Sequence, residues 1–293
     1  MLRPNNFGFN FETKVTNSFQ NIIDEDENIV REKAIFEFDN MVKTLEDNNI
    51  KVNVFKDKRE ILPDSVFMNN WISIFPDGKL VTYPIYTDIR RKEKRNDIVN
   101  QIIEQFDITE YIDFSDYENK NQFLEGTGSV VFDYDHKIAY ASISSRTNEV
   151  VFNDLCEKIG YKGFIFSATN VDSFPIYHTN VIMSVAKNYT LICSEAIADP
   201  LERSIVINAL KTSGKKIIEL SFNQLNRYAG NALEVFDAKG NSKLVMSRTA
   251  FSSLTDSQIT KIEKYSKIIV VNISIIECVG GGSARCMLTG VNC

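Results

Sequence analysis

Histidine is nearly absent from this chain: His136 and His178 are the only two in 293 residues. No Cys-x-x-Cys pair occurs either, so the ligand spacings of a zinc site are missing. The five cysteines are odd in number and irregularly spaced, which does not make a disulfide framework. No apolar run approaches the ~20 residues a membrane span needs. No opening stretch joins a basic start, an apolar centre and a small-residue cleavage site. A basic excess is missing too. The net charge is -6 and the pI about 5.2, so no global positive field points to nucleic acid. The one basic cluster, Arg90-Arg91-Lys92-Glu93-Lys94-Arg95, is expected to be the solvated start of a helix. These absences describe a soluble protein of a reducing, cytoplasmic compartment, with neither a membrane nor a nucleic acid as partner.

The apolar fraction, 43%, is ample for a buried core, as one large domain or two small ones. After a short strand and loop at Leu2 to Asn10, acidic residues 24–27 suit a helix N-terminus. Ile29, Ala34, Ile35, Phe38, Met41, Val42 and Leu45 then recur on one helical face. Residues 51–55 alternate as a strand. A hairpin follows across residues 63–84, turning at Pro76-Asp77-Gly78-Lys79. A helix over 94–106 and a strand over 110–114 complete a unit.

That order recurs. Strands 124–133 and 138–143, a helix near 148–159 and a strand 162–167 form the next unit. Strands 177–185 and 189–194, a helix 200–213 opened by Pro200, and a strand 216–220 form another. A fourth spans residues 229–272. A fifth begins with a strand at Gly282 and is completed by the N-terminal segments. About five strand-turn-strand-helix-strand units, the last closed by joining the termini, predict one α/β ring over residues 1–293.

In such a ring the starts of equivalent strands converge at the centre. Asp64, Glu125, His178, Asn231 and Cys286 occupy those positions. Each has an ordinary structural role available. Asp64 after Pro63 can make a turn, Glu125 can cap a loop, His178 can be a satisfied core histidine, and Cys286 a small buried hydrophobe. Four residue types suited to a thiol mechanism at one phase of a repeat outweigh those separate roles. A thiolate can attack a trigonal carbon, and a histidine can move protons. A carboxylate can hold a substrate nitrogen. The thiolate would need positive charge nearby, from Arg285, the imidazolium of His178 or a cationic substrate. An α-carboxylate would need a cation, for which Arg3, Arg146, Arg248 and Arg285 are candidates. Cys156, Cys193 and Cys278 lie in apolar segments and are expected in the core; Cys293 ends the chain.

The segments Asp64-Ser65-Val66-Phe67, Glu125-Gly126-Thr127-Gly128, His178 opening a strand, and Gly280-Gly281-Gly282-Ser283-Ala284-Arg285-Cys286-Met287 resemble the pentein, or guanidine-modifying, superfamily. Arg3-Pro4-Asn5-Asn6-Phe7-Gly8-Phe9-Asn10 and Asn69-Asn70-Trp71 resemble the bacterial amidinotransferase-like group associated with citrulline utilisation. The resemblance implies a five-bladed α/β propeller of pseudo-fivefold ββαβ repeats, no metal or other cofactor, and a covalent thiouronium-type intermediate. It implies Cys286 as nucleophile, His178 as general acid and base, and Glu125 and Asp64 as substrate-holding carboxylates. Asn69, Thr127, Asn180 and Arg285 complete the expected substrate-binding set. Two departures stand out. Asn180 replaces the aspartate that arginine deiminases carry two residues after the histidine. Asn69-Asn70 replaces the acidic pair of dimethylarginine hydrolases. An amide suits a neutral ureido group, which both donates and accepts. The expected reaction is therefore citrulline to ornithine through an S-carbamoyl cysteine. The other readings are an amidinotransferase, a deiminase acting on arginine or methylarginine, and a non-catalytic ribosome-binding ring.

Overall fold

The computed structural model describes residues 1–56 and 62–291; Cys293 lies outside them. Four three-stranded sheets share one topology. In the first, β3 (Ile72–Ile74) runs antiparallel to β4 (Lys79–Thr82), and β4 parallel to β5 (Glu110–Asp113). The others repeat this: β6 (Val130–Asp133), β7 (Ile138–Ser142) and β8 (Lys162–Phe166); β9 (Met183–Val185), β10 (Tyr189–Ile192) and β11 (Lys216–Glu219); β12 (Leu233–Phe236), β13 (Ser242–Ser247) and β14 (Lys267–Val271). A crossover helix precedes each third strand, as a parallel connection requires. The four are Asn96–Gln105, Glu149–Ile159, Pro200–Thr212 and Asp256–Glu263. The N-terminal segment supplies the parallel pair β1 (Leu2–Arg3) and β2 (Phe55–Lys56), joined through the helix Glu27–Asp47. No helix among the described residues is long and apolar enough to cross a membrane.

Local chemistry sets the helix boundaries. Asn148 accepts from the Val150 and Val151 amides, and Asp199 from Leu201 and Glu202 beside Pro200. Thr255 and Gln258 cap each other reciprocally. The helix Glu27–Asp47 buries Val30, Ala34, Phe38, Met41 and Leu45. Ile29, expected on that face, is exposed, because Val30 rather than Ile29 keeps the four-residue spacing to Ala34 and Phe38. Each large side chain removed from water there stabilises the fold by roughly 1.5–3 kcal/mol. Cys156 and Cys193 are core residues, but Cys278 is only half-buried.

The segments expected as first strands are not strands at their starts. Met68–Asn70, Gly126–Ser129, Thr179–Ile182 and Ala284–Met287 are each one helical turn, followed in the first three by a short strand. Continuous apolar runs do not distinguish a buried turn from a strand. At the second of these turns the reason is local. Gly126 has φ +45°, and a Cβ there would lie 2.2 Å from the Asn69 carbonyl oxygen. Only glycine lets the two turns approach so closely.

Candidate active site

These turns pack against one another and gather the charged side chains. Asp64 sits in the turn before Met68–Asn70, Glu125 just before its turn, His178 just before the next, and Cys286 within the last. All four are buried, Cys286 to 3% exposure. His178 Nε2 lies 2.8 Å from Glu125 Oε2. Arg146 Nη1 and Arg90 Nη1 lie 3.4 and 3.8 Å from the same oxygen, and the Tyr86 amide donates to the other at 3.1 Å. Burial alone would raise the Glu125 pKa; Arg146, His178 and Arg90 together hold it well below the usual carboxylate range. Burial takes His178 the other way, down to about 4 despite its bond to Glu125. Near neutral pH the pair is therefore a carboxylate and a neutral imidazole, with Nε2–H directed at Glu125 and Nδ1 left as the base.

The sulfur of Cys286 is met by amides. Asn231 Nδ2 approaches it to 3.3 Å and Asn180 Nδ2 to 3.5 Å. Arg285, expected to supply positive charge to the thiol, is close enough to interact with it through charge but makes no hydrogen bond to the sulfur. Its side chain donates to the Leu288 carbonyl at 2.9 Å, while its backbone amide donates to Asn231 Oδ1. Adjacent residues on a helical turn point in different directions, so Arg285 bonds elsewhere while its charge still acts on the sulfur. Asn69 Nδ2 bonds Thr127 Oγ1 at 3.2 Å, and Asn180 Nδ2 also bonds the Thr127 carbonyl, so the expected Asn69, Thr127 and Asn180 form one patch.

Asp64 Oδ2 accepts from Asn10 Nδ2 at 2.8 Å and Thr13 Oγ1 at 3.2 Å, with Arg90 Nε 3.9 Å away. Its second oxygen, Oδ1, is buried and has no partner. Burial raises the Asp64 pKa, with Arg90 the main opposing influence. The basic cluster is likewise unlike its expectation. Arg90 is 2% exposed and forks onto Glu93 through bonds of 3.0 and 2.9 Å, while donating to Asn70 Oδ1. Burial pushes Glu93 up to about 7, against the pull of Arg90. Arg90 and Glu93 were missed because a run of alternating charges reads as a wet surface; the three-residue Arg-to-Glu spacing was the available signal.

Of the four arginines weighed for a substrate carboxylate, only Arg146 joins this cluster. Arg3 pairs with Asp39, Arg248 is exposed beside the Glu27–Asp47 helix, and Arg285 turns to Leu288. The guanidinium of Arg146 lies over the Tyr177 ring at 4.9 Å and donates to Thr16 Oγ1 and the Thr13 carbonyl. Thr13 and Thr16 belong to an N-terminal strap, residues 10–20, whose Asn17 reaches the Gly281 carbonyl. The strap roofs the buried cluster.

The model of the family described as N,N dimethylarginine dimethylhydrolase, eukaryotic, matches residues 3–293. No curated protein matches the sequence. Among solved structures, the chain superposes on ArgZ, an arginine dihydrolase from the ornithine–ammonia cycle in cyanobacteria, with TM-score 0.75 and 17% identity. That match covers 98% of this chain and 39% of ArgZ, so the chain spans well under half of that protein's length. The N-terminal domain of ArgZ alone, a cysteine-to-serine variant bound to substrate, gives TM-score 0.74 at 17% identity, covering 98% of this chain and 95% of that one. A dimethylarginine dimethylaminohydrolase adduct gives TM-score 0.64 at 18% identity, covering 88% and 90%. At such identities the structural likeness establishes a common α/β fold.

Proposed function

The chain belongs to the N,N-dimethylarginine dimethylhydrolase family of the pentein guanidino-modifying superfamily, and from that premise we propose that it hydrolyses a C–N bond of a guanidino amino acid through a covalent adduct on Cys286. The family is one of hydrolases acting on carbon–nitrogen bonds. We read residues 1–293 as one catalytic domain, with the four sheets and the terminal strand pair as five blades of a propeller. A free-thiol nucleophile suits the reducing, cytoplasmic setting expected from the cysteines.

The observation that carries the substrate class is the unpartnered Asp64 Oδ1. A buried carboxylate oxygen without a donor costs free energy that a substrate N–H would recover. A guanidinium offers only donors, and its charge would draw Asp64 to its ionised form. Neutral His178 takes the Cys286 proton, and the sulfur adds to the guanidino carbon. His178 returns that proton to the departing nitrogen, which leaves as ammonia or an alkylamine. Water, losing a proton to His178, adds to the same carbon. The C–S bond then breaks, and His178 returns the proton to the thiolate. Glu125 holds the imidazole in the required tautomer. Arg146 and Arg90 are the cations available to an α-carboxylate, and the strap of residues 10–20 must lift to admit it.

The asparagines favour a second reading, hydrolysis of citrulline to ornithine. Asn180 and Asn231 line the thiol where a ureido oxygen could accept, and both donate to the sulfur without adding charge to the site. Against it, Asp64 and Glu125 both keep their carboxylates. An amidinotransferase would differ only in the acceptor of the intermediate. A ribosome-binding ring would have no use for a buried Cys-His-Glu set.

Incubation with arginine, N-methylated arginines and citrulline separates these outcomes. Ammonia or a methylamine released from a guanidino substrate, with a ureido product or ornithine, is expected. Activity confined to citrulline would transfer the assignment to the ureido reading. Amidino transfer to an added amine would replace hydrolysis altogether.

A further inference from the structure

Asn231 is the position of the central constellation to which the reaction above gives no task. It sits where the fourth unit enters the centre, in phase with Asp64, Glu125, His178 and Cys286. It is fully buried, and its contacts are specific. Its Nδ2 is 3.3 Å from Cys286 Sγ and 3.2 Å from the Asn180 carbonyl. Its Oδ1 accepts the backbone amide of Arg285 at 3.1 Å. That last bond holds the oxygen, so the amino group is the nearer end of the carboxamide to the sulfur, with Oδ1 within 3.7 Å of it as an acceptor for the neutral thiol. Asn180 is oriented in the same way, because its Nδ2 also reaches the Thr127 carbonyl.

We infer that Asn231, assisted by Asn180, forms an amide clamp that stabilises the Cys286 thiolate and aims it. The inference rests on Cys286 being the nucleophile proposed above. Its physical basis is that hydrogen bonds to an ionised acceptor are about twice as strong as neutral ones. Two N–H dipoles, preorganised in a dry site, need not reorient as charge builds on sulfur and leaves it.

The charged and titratable groups facing the sulfur are Arg285 from its own turn, Tyr177 beside His178, and Tyr228 from the fourth unit. None of them donates a hydrogen bond to the sulfur among the described contacts, and Arg285 acts on it through charge alone. Arg285 directs its guanidinium to the Leu288 carbonyl, and burial keeps both tyrosines protonated. The hydroxyl of Tyr177 donates to the Gly281 carbonyl, and that of Tyr228 to the Glu277 carbonyl. Further across the site, His178 is engaged with Glu125.

The test is the pH profile of iodoacetamide alkylation of Cys286, read by peptide mass spectrometry so that the other cysteines do not interfere. The high-pH plateau reports access beneath the strap; the midpoint reports thiolate stability. Asn231→Ala should move the midpoint up by on the order of one pH unit, with an unchanged plateau. Asn231→Asp keeps the shape and the acceptor for the Arg285 amide but places a carboxylate on the sulfur, so its midpoint should move further. Asn180→Asp should shift in the same direction. Unchanged midpoints in the variants that fold with wild-type thermal stability would overturn the inference. So would a set in which no variant folds, because the amides would then serve the fold. Alkylation needs no turnover. A shifted midpoint in a protein that hydrolyses no guanidino or ureido compound would keep the clamp and reject the substrate assignment.

Discussion

Cys286→Ser should lose turnover by roughly 10⁴-fold or more while still binding its substrate. The substitution is nearly isosteric, and the Asn231 and Asn180 amides that approach the sulfur at 3.3 and 3.5 Å can donate to a hydroxyl oxygen instead. Folding and the charged cluster around Asp64 and Glu125 are therefore retained. Nucleophilicity is not, because an alkanol is ionised far less readily than a thiol and neutral His178 is a weak base for it. Binding should still appear as thermal stabilisation, about 2.7 kcal/mol when ligand exceeds its Kd a hundredfold. Differential scanning fluorimetry of the variant with arginine, beside a product assay, reads both halves. Loss of activity without stabilisation would mean that the cysteine shapes the binding site. Retained activity would remove Cys286 from the reaction.

Arg90→Met carries the largest expected effect on stability, about 3–5 kcal/mol. The guanidinium forks onto Glu93 and lies 3.9 and 3.8 Å from Asp64 and Glu125. Methionine fills much of the volume but leaves three buried carboxylates with only Arg146 among them. The loss has a sign in pH. Burial has already raised Asp64 and taken Glu93 to about 7, and removing Arg90 raises both further. A group with a raised folded pKa binds more protons folded than unfolded. Its stabilisation is complete below its unfolded pKa and is lost as pH rises through the folded value. The variant should therefore be penalised more at pH 8 than at pH 5. Arg90 also helps to lower the His178 pKa, so its removal relieves part of the cost of keeping that imidazole neutral at pH 5 and acts in the same direction. Urea unfolding at the two pH values measures this; an equal penalty at both would assign the effect to packing alone.

Much of this site was legible before any coordinate. Cys286, His178, Glu125 and Asp64 were found because a repeated unit puts equivalent positions at one place, so ordinary residues gain meaning from their phase. Arg90 and Glu93 were not, because their own segment is hydrophilic. What buries them is the strap and the turn of Asn70, both distant in sequence. Asn180, expected to bind substrate, places its amide on the sulfur and the Thr127 carbonyl, contacts that only the packing of the turns creates. Gly281, in the run before the cysteine, leaves room for protein: a Cβ there, at φ +67°, would lie 2.5 Å from Gln20 and 2.6 Å from Asn17, so the glycine lets the strap close onto the nucleophile loop. Sequence alone does not distinguish a glycine that yields to a ligand from one that yields to a neighbouring segment.

The account turns on a bond between Cys286 and the substrate carbon. Intact-protein and peptide mass spectrometry of enzyme acid-quenched during turnover of a guanidino substrate tests it. The expected result is an alkylthiouronium on Cys286, carrying the substrate less one ammonia or amine. An S-carbamoyl group formed from citrulline would instead support the ureido reading, and an amidino group the transferase. Sustained turnover with Cys286 unmodified at every quench time, and unaffected by its replacement, would contradict the mechanism.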